Sequence, residues 1–169
     1  MLVAEKHVTC VYFVTSSYTI HSVGGDWDSF AEENNAPGMM ASQVVQHQLW
    51  DFISDASVRH VYHDIIGRVL KSGQTMTIPY RCDSPDWRRS MKLRVIRKSR
   101  NLCEFISCTT AMEPRAPVEL LDPDIERSDF WLPICSWCKQ VAVEDGRWLE
   151  IEEAAVELME NGCYPYPAL

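Results

Sequence analysis

The stretch DASVRHVYHDIIGRVLKSG, residues 55–73, decides the reading of the fold. Val58, Tyr62, Ile65, Ile66 and Val69 recur at helical spacing and fall on one face. Ser54 or Asp55 can cap the start, and Gly73 stands just past the end, so a helix is predicted over Asp55–Lys71. A one-sided apolar stripe needs a surface to cover, and three segments of period two follow it. Thr75–Cys82 sets Met76, Ile78, Tyr80 and Cys82 on one side, and its Pro79 marks an edge strand. Arg89–Ile96 alternates Met91, Leu93 and Val95 with Lys92 and Arg94. Leu102–Thr110 closes the run, with Phe105 and Ile106 on opposite faces.

Upstream, Val8–Val14 (VTCVYFV) is β-branched and aromatic and reads as a buried strand. Thr15, Ser16 and Ser17 form a polar turn, and Tyr18–Val23 reads as the hairpin partner, stopped by Gly24 and Gly25. Asp26–Asn34 predicts a short helix with Trp27 and Phe30 on one face, whereas Met39–Ile53 resists assignment beyond an apolar cluster at Leu49, Trp50, Phe52 and Ile53. The expected architecture is α+β, a five-stranded antiparallel sheet over residues 8–112 with helices on one face.

Charge divides the chain. Residues 113–169 hold 13 acids against 4 Lys and Arg, within a net charge of -8 for the whole. Such an acidic region repels phosphates and argues against nucleic-acid binding. Residues 113–133 contain four prolines and predict an acidic extended linker. Residues 134–169 then form an appendage with Cys135–Lys139, a turn at Glu144–Gly146 and a short acidic helix over Leu149–Asn161. No apolar run reaches the roughly 18–20 residues of a membrane span, and no secretory signal opens the sequence. Seven irregularly spaced cysteines fit a reducing compartment, so a cytoplasmic protein is expected. The sequence lacks Gly-x-Ser-x-Gly, a P-loop and Gly-x-Gly-x-x-Gly, and no enzyme is expected.

The order of hairpin, short helices, long helix and three strands resembles a PAS domain. Tyr18–Val23 followed by Gly25–Asn34 resembles the PAS hairpin and its first helix. Leu49–Ile53 and Tyr80–Pro85 are similar to segments of a group of bacterial PAS-like proteins. In that group a Cys-Ser-Trp-Cys-Lys element, a Gly-x-Trp and an acidic helix recur, here Cys135–Lys139, Gly146 and Trp148. The group's appendage also carries a second Cys-x-x-Cys; this sequence offers Cys163. The resemblance implies a non-catalytic sensory module. It would bind a small molecule or a signalling protein, form a homodimer and act in trans.

The candidate ligand-binding residues are Trp27, Phe30, Trp50, Tyr62, Tyr80, Met91 and Phe105, with Phe52 beside them, all aromatic or soft apolar side chains expected near the concave sheet face. The same residues could instead simply pack the core. Cys135 and Cys138 have the spacing of two zinc ligands, and Cys163 could be a third; a redox dithiol or two plain thiols are the alternatives. Cys10, Cys82, Cys103 and Cys108 are expected as strand residues. Some PAS domains hold haem through a histidine on the long helix. With Tyr62 at the centre of the apolar face, His63 lies about 100° away and His60 about 160° away, so His63 is the histidine able to turn inward; the alternative is two surface histidines on a polar face. Arg88, Arg89, Lys92, Arg94, Arg97, Lys98 and Arg100 form a basic run, read as a solvated face or a dock for the acidic appendage. Phe130, Trp131 and Leu132 are a candidate contact surface.

Overall fold

The computed structural model describes residues 9–122, 124–125 and 131–160. Its sheet has five strands: β1 Thr9–Thr15, β2 Ile20–Gly25, β3 Met76–Arg81, β4 Trp87–Ser99 and β5 Leu102–Pro114. Their spatial order is β2-β1-β5-β4-β3, so β3 is an edge, as Pro79 requires. Between β2 and β3 come α1 Trp27–Glu33, α2 Ala41–Val44 and α3 Ala56–Ser72. Two 3-10 turns, Pro37–Met39 and Leu49–Asp51, occupy much of the stretch whose periodicity is ambiguous. The chain is α+β, as the sequence predicts.

Helix α3 begins where Asp55 accepts the amide of Val58 at 2.9 Å, a cap worth about 1 kcal/mol. It ends at Gly73, whose φ of 73° no β-carbon-bearing residue adopts cheaply. Its stripe is buried through Ile65, Ile66 and Val69, each contributing about 1.5–3 kcal/mol. The matching sheet face alternates cleanly: Tyr12 and Val14 of β1, Leu93 and Val95 of β4, and Cys103 and Phe105 of β5 are buried. The other face carries half-buried Val11, Phe13 and Ile106 beside exposed Lys92 and Arg94. Register places Tyr12 opposite Phe105 and Val11 opposite Ile106.

The hairpin departs from expectation at one point. Tyr18 is not in β2 but in the turn, at φ 63°, so the strand begins at Ile20. Val8, expected in β1, lies outside the described residues.

Contacts divide the chain into two compact units. The first comprises the described residues up to Pro79 with Met91–Thr110; the second comprises Tyr80–Ser90 with the described residues from Ala111 onward. In the second, β6 Val141–Ala142 and β7 Trp148–Leu149 form a small antiparallel ribbon leading into α4 Ile151–Glu160. Its core joins Val118, Leu120, Val141, Val143, Ile151 and Leu158. The proline-rich segment therefore contributes buried side chains, and Pro114 ends β5.

Glycine 25 tests the hairpin geometry. Its φ is 69°, and a β-carbon there would stand 2.1 Å from the Thr9 carbonyl oxygen, whereas one on Gly24 meets nothing within 4 Å. Urea denaturation should show Gly25→Ala losing about 2–5 kcal/mol, while Gly24→Ala stays within about 1 kcal/mol of the parent.

Candidate functional site

The inner sheet face of the first unit gathers aromatic rings. Tyr12 and Phe105, paired across β1 and β5, stack at 4.7 Å with 13° between planes. Tyr62 descends from α3 onto Phe105 at 5.9 Å, and its hydroxyl lies 3.2 Å from that of Tyr12. Trp27 meets Tyr12 edge-on at 5.7 Å, its indole N–H donating to the Met39 carbonyl at 2.6 Å. Burial pushes the Tyr62 phenol above its ordinary pKa, and the hydrogen bond with Tyr12 partly opposes this. Two hydroxyls thus share a hydrogen bond among stacked rings, a polar point where aromatic surface otherwise dominates.

Trp27, Tyr62 and Phe105 of the expected set therefore meet, around a residue the set omitted, Tyr12. Nothing in VTCVYFV could single it out, because an unbroken apolar run hides which alternate positions face inward. Met91 is buried, with the Thr109 hydroxyl donating to its sulfur at 3.3 Å. Phe30 is half-buried on α1, and Phe52 meets His47 edge-on at 6.4 Å. Trp50 instead packs on Tyr18 at 4.8 Å, and Tyr80 belongs to the second unit, edge-on to Trp137 at 6.2 Å.

The two histidines of α3 lie outside the aromatic cluster. His63 is exposed, and its ring stacks on Tyr18 at 5.5 Å. A residue about 100° off the stripe belongs to whichever side offers a partner, and Tyr18 offers it. His60 is exposed as expected, 3.8 Å from Asp64.

In the second unit Cys135 and Cys138 occupy a tight turn. The Cys135 amide donates to the Gln140 carbonyl at 2.8 Å and the Lys139 amide to the Cys135 carbonyl at 2.9 Å, with Lys139 itself left-handed at φ 62°. Burial opposes ionisation of Cys135. The amides of Cys138 and Trp137, the Cys138 thiol and the Lys139 charge outweigh it and lower the pKa. The Cys138 thiol donates to Gln140 Oε1 at 3.6 Å, and the Gln140 amide reaches Glu150 at 3.4 Å. A structural zinc takes four ligands, and this turn offers two thiols. Among the described residues no cluster of three ligating side chains exists, and Cys163 lies outside them. Of the four cysteines expected in strands, Cys103 is buried and Cys108 half-buried in β5, and Cys10 is half-buried in β1; half-buried Cys82 stands one residue past the end of β3, where the chain turns toward β4.

An ion-pair network meets that turn where the Arg81 amide donates to the Trp137 carbonyl at 2.7 Å. Asp83, fully buried at its side chain, accepts from Arg81, from Arg115 at 3.2 Å and from the Arg89 amide at 3.1 Å. Glu150 pairs with Arg81 and with Arg88 at 3.2 Å; Glu152 pairs with Arg88 at 3.2 Å and Arg115 at 2.8 Å. Arg115 also donates to the carbonyls of Ser84 and Pro85. So Arg88 of the basic run docks on the acidic helix, while Lys98 pairs with Glu104 at 3.2 Å and Arg97 reaches the Leu70 carbonyl. Trp131 is 86% exposed, Leu132 packs on the second core, and Phe130 lies outside the described residues.

Neither a known protein family nor a curated protein matches the chain. Among solved structures, it is similar to a domain of an HTR-like protein from Haloarcula marismortui ATCC 43049. That match is 18% identical with a TM-score of 0.42, covering 61% of this chain and 98% of that one. No helix among the described residues is long and apolar enough to cross a membrane.

Two outcomes test these environments. Burial raises the Cys103 pKa to about 11, so timed alkylation with mass mapping should label Cys135 at least tenfold faster, by about the thiolate ratio. For Glu152, burial works against the charge, but its own amide, Arg115 and Arg88 hold its pKa below the ordinary 4.5. The unfolded chain then binds the proton more readily. Stability from this group is full above about pH 4.5 and is lost as pH falls through the native value. Thermal melts of Glu152→Gln should show a shallower acid decline than the parent.

Proposed function

We propose that this chain is a non-catalytic sensory and signal-transduction module that binds a small ligand through its PAS-like domain and acts on a signalling protein in trans. The observation that carries the reading is the Tyr12–Tyr62 hydroxyl pair, set between Phe105 and Trp27 at the junction of α3 and the sheet. A ligand entering there exchanges ring stacking for its own and competes for a ready hydrogen bond. Either event shifts Tyr62, and with it a 17-residue helix fixed at both ends by Asp55 and Gly73. The sheet's outer face, with half-buried Val11, Phe13 and Ile106, supports homodimer formation as the means of passing the change on.

A metal-dependent reading rests on Cys135 and Cys138, where backbone amides favour the thiolate. When bound, a zinc ion would supply structural cross-linking of the turn. Those two residues would hold it with ligands from outside the described set, and the sensory reading does not use it.

Native mass spectrometry of the purified protein and light scattering test both readings. A bound small molecule at near one per chain, lost in Tyr62→Phe together with Tyr12→Phe, and a dimer mass are expected. An unliganded monomer that gains no thermal stability from a library of small aromatic and heterocyclic compounds would sink the sensory reading. Elemental analysis showing zinc near one per chain, absent in Cys138→Ala, would carry the metal reading.

A further inference from the structure

Tyr18 is a bulky residue held in the left-handed region at φ 63°, a conformation costing about 1–3 kcal/mol. Two hydrogen bonds pin it there: its amide donates to the Thr15 carbonyl at 2.9 Å, and its carbonyl accepts the Leu49 amide at 2.8 Å. The strain turns the ring onto Trp50 at 4.8 Å and His63 at 5.5 Å, on the side of α3 away from the buried stripe.

Arg59 fastens the same region. Its guanidinium donates to the carbonyls of Ile53 and of Trp50, the latter at 2.8 Å, so the turn bearing Trp50 is tied to the first turn of α3. Between them lies an open groove of about 370 Å³ walled by Trp50, Ala56, Arg59, His60 and His63. Ala56 leaves one wall low, Trp50 offers a flat apolar side, and all three ionisable side chains of the wall are basic. Of the neighbouring carboxylates, Asp51 accepts the Gln48 amide at 3.2 Å and Asp55 caps α3, while Asp64 lies 3.8 Å from His60, a contact that an incoming anion would have to share.

The geometry points to a second ligand site, a groove that takes a small planar aromatic carboxylate. Its ring lies along Trp50, and its anion meets Arg59 and the two histidines. The volume accepts a one- or two-ring molecule. The indole and imidazole faces favour a flat partner, and the basic edge selects an anion over its neutral isostere. The site shares no residue with the Tyr12–Tyr62 cluster, and it stands whether or not that cluster binds a ligand.

Indole-3-acetate and its neutral amide are suitable probes, followed by calorimetry and by NMR of the Trp50 indole N–H and the histidine rings. Saturable binding of the acid is expected, with the amide weaker by about fivefold or more. The double variant His60→Gln/His63→Gln, exposed positions that leave the core intact, should weaken the acid by a similar factor, and Trp50→Ala should abolish binding. Thermal melts check that each variant is folded. Equal affinity for acid and amide, shifts centred on Tyr12 and Tyr62, or no saturation by about 10 mM would each overturn the proposal.

Discussion

Tyr62 is where the long helix meets the sheet. Its ring lies on Phe105, its hydroxyl is 3.2 Å from that of Tyr12, and Ile65, Ile66 and Val69 bury the rest of the same face. An isolated 17-residue helix is marginal in water, and the alternating strands need their apolar face covered. Each supplies what the other lacks. Once the stripe is committed inward, His60 is committed outward, and His63 at the border of the stripe meets the ring of Tyr18 from the hairpin turn.

The second unit is organised by charge as much as by apolar burial. Asp83 has no solvent exposure at its side chain, so its cost of desolvation is met by two guanidinium groups and a backbone amide. Arginine suits this role because its planar fork can serve two carboxylates while its remaining N–H groups serve carbonyls, as Arg115 does with Ser84 and Pro85. The network links the β3–β4 connection to the start of α4 within one unit, and Val118 and Leu120 complete the apolar side. Val118 and Leu120 come from a segment rich in proline and acid, around the 3-10 turn Glu119–Leu121.

Much of the first unit was legible. The caps of α3, the alternation of β4 and the edge role of Pro79 are local, and local chemistry sets them. Tyr12 was not legible as a site residue, because β1 is apolar at nearly every position and only pairing with β5 reveals its face. Composition groups Trp50 and Tyr80 with the inner aromatics, but their positions follow from a turn and an edge strand that composition does not encode. His63 sits at the border of a helical stripe, where a neighbouring ring decides the outcome.

Periodicity, capping and charge are properties of neighbouring residues, so the long helix, most strands, the α+β class and the acid-rich character of the second unit can be read directly along the chain. Packing set the rest: Tyr12 and Tyr62 share a hydrogen bond, Tyr18 is strained onto Trp50 and His63, and Arg81 finds Glu150 across 69 positions. These are contacts between residues far apart in the chain. Their energies depend on burial and on the exact approach of two surfaces, which exist only after the elements have packed.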